Sequence, residues 1–429
     1  MAKIKGFAEW LPEQQILQQK IVTSIRDTFE LYGFTPLQTR SIELISDLTD
    51  QGETDKEIYG VHRLTDESEV NFDWGLHYDL TVPFARYVSE NRGKILFPYR
   101  RYQIQQAWRG ERPQLGRFRE FIQADADVVA EGELDLRYDA EILLMFQKLL
   151  FDLPIPKVQL QVNNRKLLQG FYEGQGIAEV IPVLRAIDKM PKIGEGGVEE
   201  ILTGLNLSKQ QIENCIGITK VSANGSTGLK QLSDFSIDNL QFSEGIEELG
   251  RVLDQVNELA DQDSVVAGLH IARGFDYYTG TVAETIFPDY EQVGSICSGG
   301  RYDNLISAGS KPIPGVGFSI GVSRLLAYCF HLEILEASKK STAEVFVAVN
   351  SEQDRNNSNK VAAALRSRGI ATLVSDSSAA FGKQIKIAEK MGIKYVWFLN
   401  EGSSDEIKDL EARSQTECDV DTWMPKTDI

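Results

Sequence analysis

Two alternating runs, YRRYQIQQAWR and RFREFIQADADVVA, flank the polar stretch GERPQLG within residues 97–130. Period-two alternation on both sides of turn-forming residues predicts an antiparallel hairpin with a long loop. Strand side chains alternate, so Arg119, Phe121, Gln123, Asp125 and Asp127 share one face, while Arg109 and Glu111 share a face of the partner strand. An arginine fork, an aromatic plate and polar acceptors around one concavity can grip a phosphate by paired hydrogen bonds, stack a base and fix an amine. The same alternation equally describes a solvated sheet face laced with ion pairs, and spacing alone does not separate the two.

With 429 residues the chain exceeds one ordinary core and is expected to form two or three domains. Leu17, Ile21, Ile25, Phe29 and Tyr32 recur at steps of four and three, an amphipathic helix that Pro12 can open and Gly33 can cap. Val158, Leu160 and Val162 alternate as a strand, after which a glycine-punctuated helical pattern, about 165–260, reads as an inserted module. Strands and glycine turns return over 265–335 and end in GVGFSIGVSRLLAYCF, a strand running through a glycine into a helix. The polar ASKKST marks a boundary. Beyond it, over 343–429, strands alternate with helices, which predicts a small, largely parallel α/β domain.

Apolar residues make up 42% and charged residues 25% of the chain, with no apolar run long enough for a membrane span and no secretory h-region at the start, so a cytosolic protein without membrane attachment is expected. Cys215, Cys297, Cys329 and Cys418 have no CxxC spacing, and His62, His77, His270 and His331 no ligand spacing. No protein metal cage is expected, and the thiols read as small buried hydrophobes. A net charge of -18 repels phosphate at long range and argues against nonspecific nucleic-acid binding. Two segments run against that balance: Arg100, Arg101, Arg109, Arg112, Arg117 and Arg119 crowd around the single acid Glu111, and the basic stretch from Arg355 to Lys394 meets only Asp376 and Glu389.

Three further elements carry chemistry. ARGFDYYTGTVAET, residues 272–285, can form an aromatic pocket with polar tips, or simply pack two tyrosines in a strand. CSGGRYDNLI, residues 297–306, sets a glycine pair before Arg301 and Tyr302, which by itself is also what a tight turn needs. Arg324 follows Gly321 in the first turn of a helix, where it can strengthen an anion site or lie on the surface. There is no GxxxxGK[ST], so a P-loop is not the device.

Taken in order, these segments resemble the histidyl-tRNA synthetases over nearly the whole chain. KGFAEWLPEQQ with the helix to YGFTPLQT resembles the family's start and motif 1, and YDLTVPFARY its amino-acid-binding strand. AWRGERPQLGRFREFIQADAD is similar to motif 2, ARGFDYYTGTVAE and GGRYDNL to the two histidine signatures, and GVGFSIGVSRLL to motif 3. The resemblance implies an α+β class II core over 1–335, an antiparallel sheet flanked by helices with the helical insertion, followed by a C-terminal α/β anticodon-binding domain over 343–429. It implies histidine, ATP with Mg2+, and the histidine tRNA as substrates, and a homodimer. Arg109 is then the α-phosphate ligand and Arg324 the γ-phosphate ligand, with Glu111 and Phe121 on the adenine. Arg273 would touch the histidine carboxylate and the α-phosphate, Asp79, Thr81 and Gln123 the α-amino group, and Asp127, Tyr278 and Tyr302 the imidazole. Arg112, Gln114 and Arg117 would meet the tRNA acceptor end. Two positions depart from the family pattern: Arg40 stands where motif 1 has a proline and Ser323 where motif 3 has a glutamate. The competing expectation is the family's catalytically inactive paralogue, the histidine-sensing subunit of ATP phosphoribosyltransferase, which typically lacks the anticodon-binding domain and some signature residues.

Overall fold

The computed structural model describes residues 4–49, 56–63, 72–260, 264–272, 274, 278–306, 311–400 and 402–426. Two compact units result, one from Met1–Ala8 with Ile21–Leu335, the other from Glu9–Lys20 with Glu336–Ile429.

Helix α1 (Pro12–Leu31) starts at Pro12, and the chain leaves it through Gly33 at φ 75°. Its later turns put Ile21, Ile25 and Phe29 on one face, all at most 2% exposed, so the apolar stripe is consumed by the unit's own core. The edge strand β1 (Thr35–Pro36) follows, then a small antiparallel sheet of β2 (Ile42–Leu44), β3 (Tyr59–Val61) and β4 (Trp74–Leu76), with α2 (Ile45–Thr49) after β2. Arg40, the departure in motif 1, donates to Glu43, which also pairs with Arg86 and is 1% exposed.

YDLTVPFARY is not a strand. Its greater part is α3 (Thr81–Asn91), where Asp79 accepts the Val82 N–H and Phe84, Ala85 and Val88 turn inward at helical spacing. The expected hairpin is present as β5 (Tyr99–Trp108) and β6 (Glu120–Val129), paired without a register shift from Tyr99↔Val129 to Trp108↔Glu120. Helix α4 (Arg137–Asp152) lies over the sheet, and strand β7 (Gln159–Asn164) leads into the insertion.

The insertion comprises α5 (Arg165–Gly174), α6 (Val180–Asp188), α7 (Met190–Gly204), α8 (Lys209–Thr219), α9 (Ser226–Leu229) and α10 (Leu240–Leu259). Phe171 of α5 packs against Phe235 and Phe242, at 5.1 and 5.6 Å between ring centroids, which gives the module its own aromatic centre. The chain then returns as β8 (Val265–Ala267), β9 (Thr281–Ile286), β10 (Cys297–Ile306) and β11 (Ile313–Gly321), and enters α11 (Val322–His331). The main sheet reads β1-β5-β6-β11-β10-β9-β7-β8, so the hairpin and the glycine-rich strand of motif 3 are hydrogen-bonded neighbours at its centre.

In the second unit β12 (Val345–Val347), α12 (Arg355–Ser367), β13 (Thr372–Val374), α13 (Phe381–Met391) and β14 (Tyr395–Phe398) make the expected parallel arrangement. Two more strands, β15 (Asp405–Asp409) and β16 (Ser414–Cys418), extend it antiparallel. Their sequences, DEIKD and SQTEC, are polar and β16 is mostly exposed, so no hydrophobic alternation announces them. Trp397 is fully buried in this unit's core and donates its indole N–H to Asp405 at 2.9 Å.

The first unit is held across its layers by Phe146 of α4, whose ring lies 5.5 Å from Phe29 and 5.7 Å from Phe318. Phe146→Ala opens a cavity between helix and sheet and is expected to cost about 3–5 kcal/mol of unfolding free energy. Denaturant titration checks this, and a loss below about 1 kcal/mol would mean that the ring is not a packed cross-layer contact.

Candidate active site

A cavity of about 240 Å³ opens where β6, β11 and α11 meet. Arg109, at the end of β5, donates from Nε to the Tyr78 carbonyl at 2.9 Å and carries its guanidinium 5.2 Å above the Phe121 ring. Glu111 stands 3.9 Å from Arg109 and accepts from Arg117 at 3.0 Å. Across the cavity Arg324, in the first turn of α11, is anchored to the Val293 carbonyl at 2.6 Å and lies 5.5 Å over Tyr328. Three arginines and one acid thus surround an aromatic plate, a donor set that suits a polyphosphate beside a planar base. Ser323 accepts the backbone N–H of Ile122 at 2.9 Å and so ties the first turn of α11 to β6.

A second, smaller cavity of about 30 Å³ is lined by Thr81, Asp125, Asp127, Tyr278 and Tyr302 among others, and it shares Ser298 and Ser319 with the first. Asp127 accepts the Tyr302 hydroxyl on Oδ1 at 2.7 Å, and its Oδ2 lies 2.7 Å from the guanidinium of Arg101. Arg101 is completely buried, 4.3 Å over the Phe84 ring. Burial pushes the Asp127 carboxyl above its ordinary range against the pull of Arg101 and Tyr302, and burial together with the Asp127 charge holds the Tyr302 phenol well above its own. Asp125, two residues back on the same strand face, is pushed up to about 7 by burial, with Arg101 opposing.

The glycines of GVGF explain how these side chains fit. A Cβ on Gly315 would meet the Tyr302 ring at 2.4 Å, and one on Gly317 would meet Asp127 Oδ1 at 1.9 Å. Both side chains lie directly on the β11 backbone, which only glycine permits.

The expected residues therefore divide by place. Arg109, Glu111, Arg117, Phe121, Gln123 and Arg324 line the larger cavity; Thr81, Asp127, Tyr278 and Tyr302 line the smaller. Gln123 also donates to Ser319 Oγ at 2.8 Å, on the shared wall. Asp79 lines neither, being engaged at the start of α3. Arg112 and Gln114 lie on the exposed loop, where Gln114 and Arg117 exchange backbone hydrogen bonds. Arg273 falls outside the described residues. The sequence reading did not assign Arg101, Asp125, Ser298 or Ser319 to the site. Alternation had put Asp125 on the right face, whereas Arg101 emerges only from the cross-strand register Arg101↔Asp127.

Sheet, motif-bearing strands and arginine-lined cavity together define a class II aminoacyl-tRNA synthetase core. The profile of the family described as Histidyl-tRNA synthetase matches residues 6–325, and that of the Anticodon binding domain matches 344–422. A histidine–tRNA ligase of Bifidobacterium animalis subsp. lactis is 44% identical, covering 99% of this chain and 96% of its own, and one of Clostridium tetani is 39% identical, covering 96% and 94%. The crystal structure of histidyl-tRNA synthetase from Nostoc sp. PCC 7120 superposes with a TM-score of 0.89 at 32% identity, covering 98% of this chain and 97% of that one. A Bacillus halodurans structure described as an ATP phosphoribosyltransferase regulatory subunit/histidyl-tRNA synthetase shares the fold at 18% identity, with a TM-score of 0.74, covering 94% and 99%. The chain belongs to the histidyl-tRNA synthetase family.

The raised Asp125 carboxyl has a consequence for stability. Below the unfolded value of 3.8 both states carry the proton; as pH rises toward about 7 the unfolded chain ionises first, so folding loses free energy over that window. Asp125→Asn removes the dependence. Thermal melts at pH 5 and pH 8 should show the variant gaining on the wild type at the higher pH, and parallel shifts at both would contradict the assignment.

Proposed function

We propose that the two adjoining cavities bind ATP and histidine and join them as histidyl-adenylate, the first half of the histidine–tRNA ligation that family membership gives the chain. The observation that carries this is the shared wall at Ser298 and Ser319, which sets an arginine-ringed, aromatic-floored cavity against one lined by carboxyls and tyrosines.

Phe121 and Glu111 take the adenine by stacking and hydrogen bonding, Arg109 the α-phosphate and Arg324 the γ-phosphate. Asp127, Tyr278 and Tyr302 read the imidazole, which offers one donor and one acceptor to a matched polar pocket. Asp79, Thr81 and Gln123 lie toward the α-amino group. The histidine carboxylate oxygen attacks the α-phosphorus, a new O–P bond forms, and the bond to pyrophosphate breaks. Arg109 and Arg273 stabilise the charge that builds on the phosphoryl oxygens, and no protein nucleophile is needed. No cluster of three or more His, Cys, Asp or Glu suited to hold a metal exists among the described residues. Magnesium bound with the triphosphate would supply neutralising charge to the leaving group.

In the second half-reaction a terminal tRNA hydroxyl attacks the adenylate. The exposed loop with Arg112, Gln114 and Arg117 meets the acceptor end, and the domain over 343–429 meets the anticodon, by local phosphate and base contacts that act despite the acidic total. The enzyme works as a cytosolic homodimer; no helix of the described residues is long and apolar enough to cross a membrane. With the α1 stripe buried in its own core, the pairing surface is the small sheet, where Ile42, Leu44 and Trp74 are 42%, 45% and 39% exposed.

Histidine-dependent exchange of labelled pyrophosphate into ATP tests the reading, and wild-type protein that shows none with magnesium present would contradict it. Arg273→Ala should slow adenylate formation by ~10²–10³ and spare transfer from preformed adenylate. Single-turnover rates of the two steps, on variant shown to be folded, distinguish this from a structural arginine, for which both steps would slow alike.

A further inference from the structure

The loop between β5 and β6 is largely exposed, yet Gly116 at its tip is buried. Tyr328 of α11 covers it. A Cβ on Gly116 would fall 2.2 Å from Tyr328 Cε2 and 2.8 Å from Cδ2, so the loop backbone lies directly on the edge of the ring. The φ of 68° at Gly116 likewise suits glycine. The same ring has a second neighbour. Arg324 stands one turn earlier on the same helix face, with its guanidinium 5.5 Å over the Tyr328 ring and one N–H on the Val293 carbonyl. One aromatic side chain thus touches both the loop tip and the arginine, and Gly116, Arg117, Phe118 and Arg324 line the larger cavity together.

Elsewhere the loop is held by other means. At its base the Gly110 N–H donates to the Glu57 carbonyl at 2.7 Å, and the Arg119 N–H to the Gly6 carbonyl at 2.7 Å. Within it Arg117 pairs with Glu111, and Gln114 and Arg117 exchange main-chain hydrogen bonds. Those bonds shape the loop and fix where it starts and ends. Its seat on α11 comes from Tyr328.

We propose that Tyr328 is a positioning residue of the ATP site: its ring orients the Arg324 guanidinium and seats the loop tip at Gly116, so that one side chain sets both. The inference rests on the reading of the larger cavity as the ATP site and adds a residue to it that does not line the cavity. A guanidinium already stacked on a ring has fewer rotamers to lose when the triphosphate arrives, which lowers the ordering cost of binding. Both contacts use the ring and not the hydroxyl.

In Tyr328→Ala, shown to be folded by thermal melting, the ATP KM in pyrophosphate exchange should rise about 3- to 10-fold, with the histidine KM within about twofold of the wild type. The second readout needs no substrate. Trypsin can cut the loop after Arg117, whereas Arg112 is protected by the following Pro113. Nicking follows the open population of the loop, and without its seat it should run about 5-fold faster or more. Tyr328→Phe should keep both properties of the wild type. Where alanine unfolds the protein, Tyr328→Leu, which keeps bulk and loses the aromatic face, takes its place with the same expectations. An unchanged ATP KM, unchanged nicking, an equal rise in the ATP and histidine KM, or a phenylalanine variant as impaired as the alanine one overturns the proposal. Wild-type protein that shows no histidine-dependent exchange removes the ATP reading instead, a result on which the nicking rates do not depend.

Discussion

The ion pair between Arg101 and Asp127 is the interaction on which the rest of the site depends. It lies across the β5–β6 ladder with Arg101 completely buried and Asp127 nearly so, and its cost in lost hydration is offset only by close geometry and by the Tyr302 hydroxyl on the other carboxylate oxygen. Removing one partner of such a pair typically costs about 3–5 kcal/mol, because a charge is left buried and alone. Asp127 is thereby held on both carboxylate oxygens, by Tyr302 and Arg101. At both Asp127 and Asp125 burial raises the proton affinity, and the same guanidinium is the main influence opposing it.

Around this pair the sheet acts as a ruler. Strand alternation delivers Phe121, Gln123, Asp125 and Asp127 at equal steps along one face of β6, from the larger cavity to the smaller. On its neighbour β11 the glycines of GVGF remove the side chains that would occupy the same space, and Tyr302 from β10 lies over Gly315 to reach Asp127. Strands β6, β10 and β11 therefore carry the shared wall of the two cavities, while the β5–β6 loop adds Arg109, Glu111 and Arg117, α11 brings Arg324 from the far side and Ser323 ties that helix to β6.

Much of this was legible in the sequence where local pattern decides structure. Alternation foretold the hairpin and the shared face of Phe121 through Asp127, and four-residue spacing foretold the buried stripe of α1. What pattern did not reveal depended on register or on context. Arg101 looked like one more cation in a basic segment, because its partner lies in another strand. YDLTVPFARY was expected as a strand from the resemblance alone, yet it turns helical from Thr81, with Asp79 accepting the Val82 amide at the first turn. The polar strands β15 and β16 had no hydrophobic signal at all, being placed by pairing with β14 and with each other.

The central claim is that Arg101 and Asp127 act as one unit in presenting the imidazole-reading pocket. A double-mutant cycle tests it most directly, with Arg101→Met, Asp127→Asn and the double variant compared by histidine KM in pyrophosphate exchange on protein shown to be folded. If the two form one unit, the double variant should be no worse than the poorer single one, a coupling on the order of 1–3 kcal/mol. Strictly additive effects would contradict the account, since they would mean that the pocket reads histidine without the buried pair.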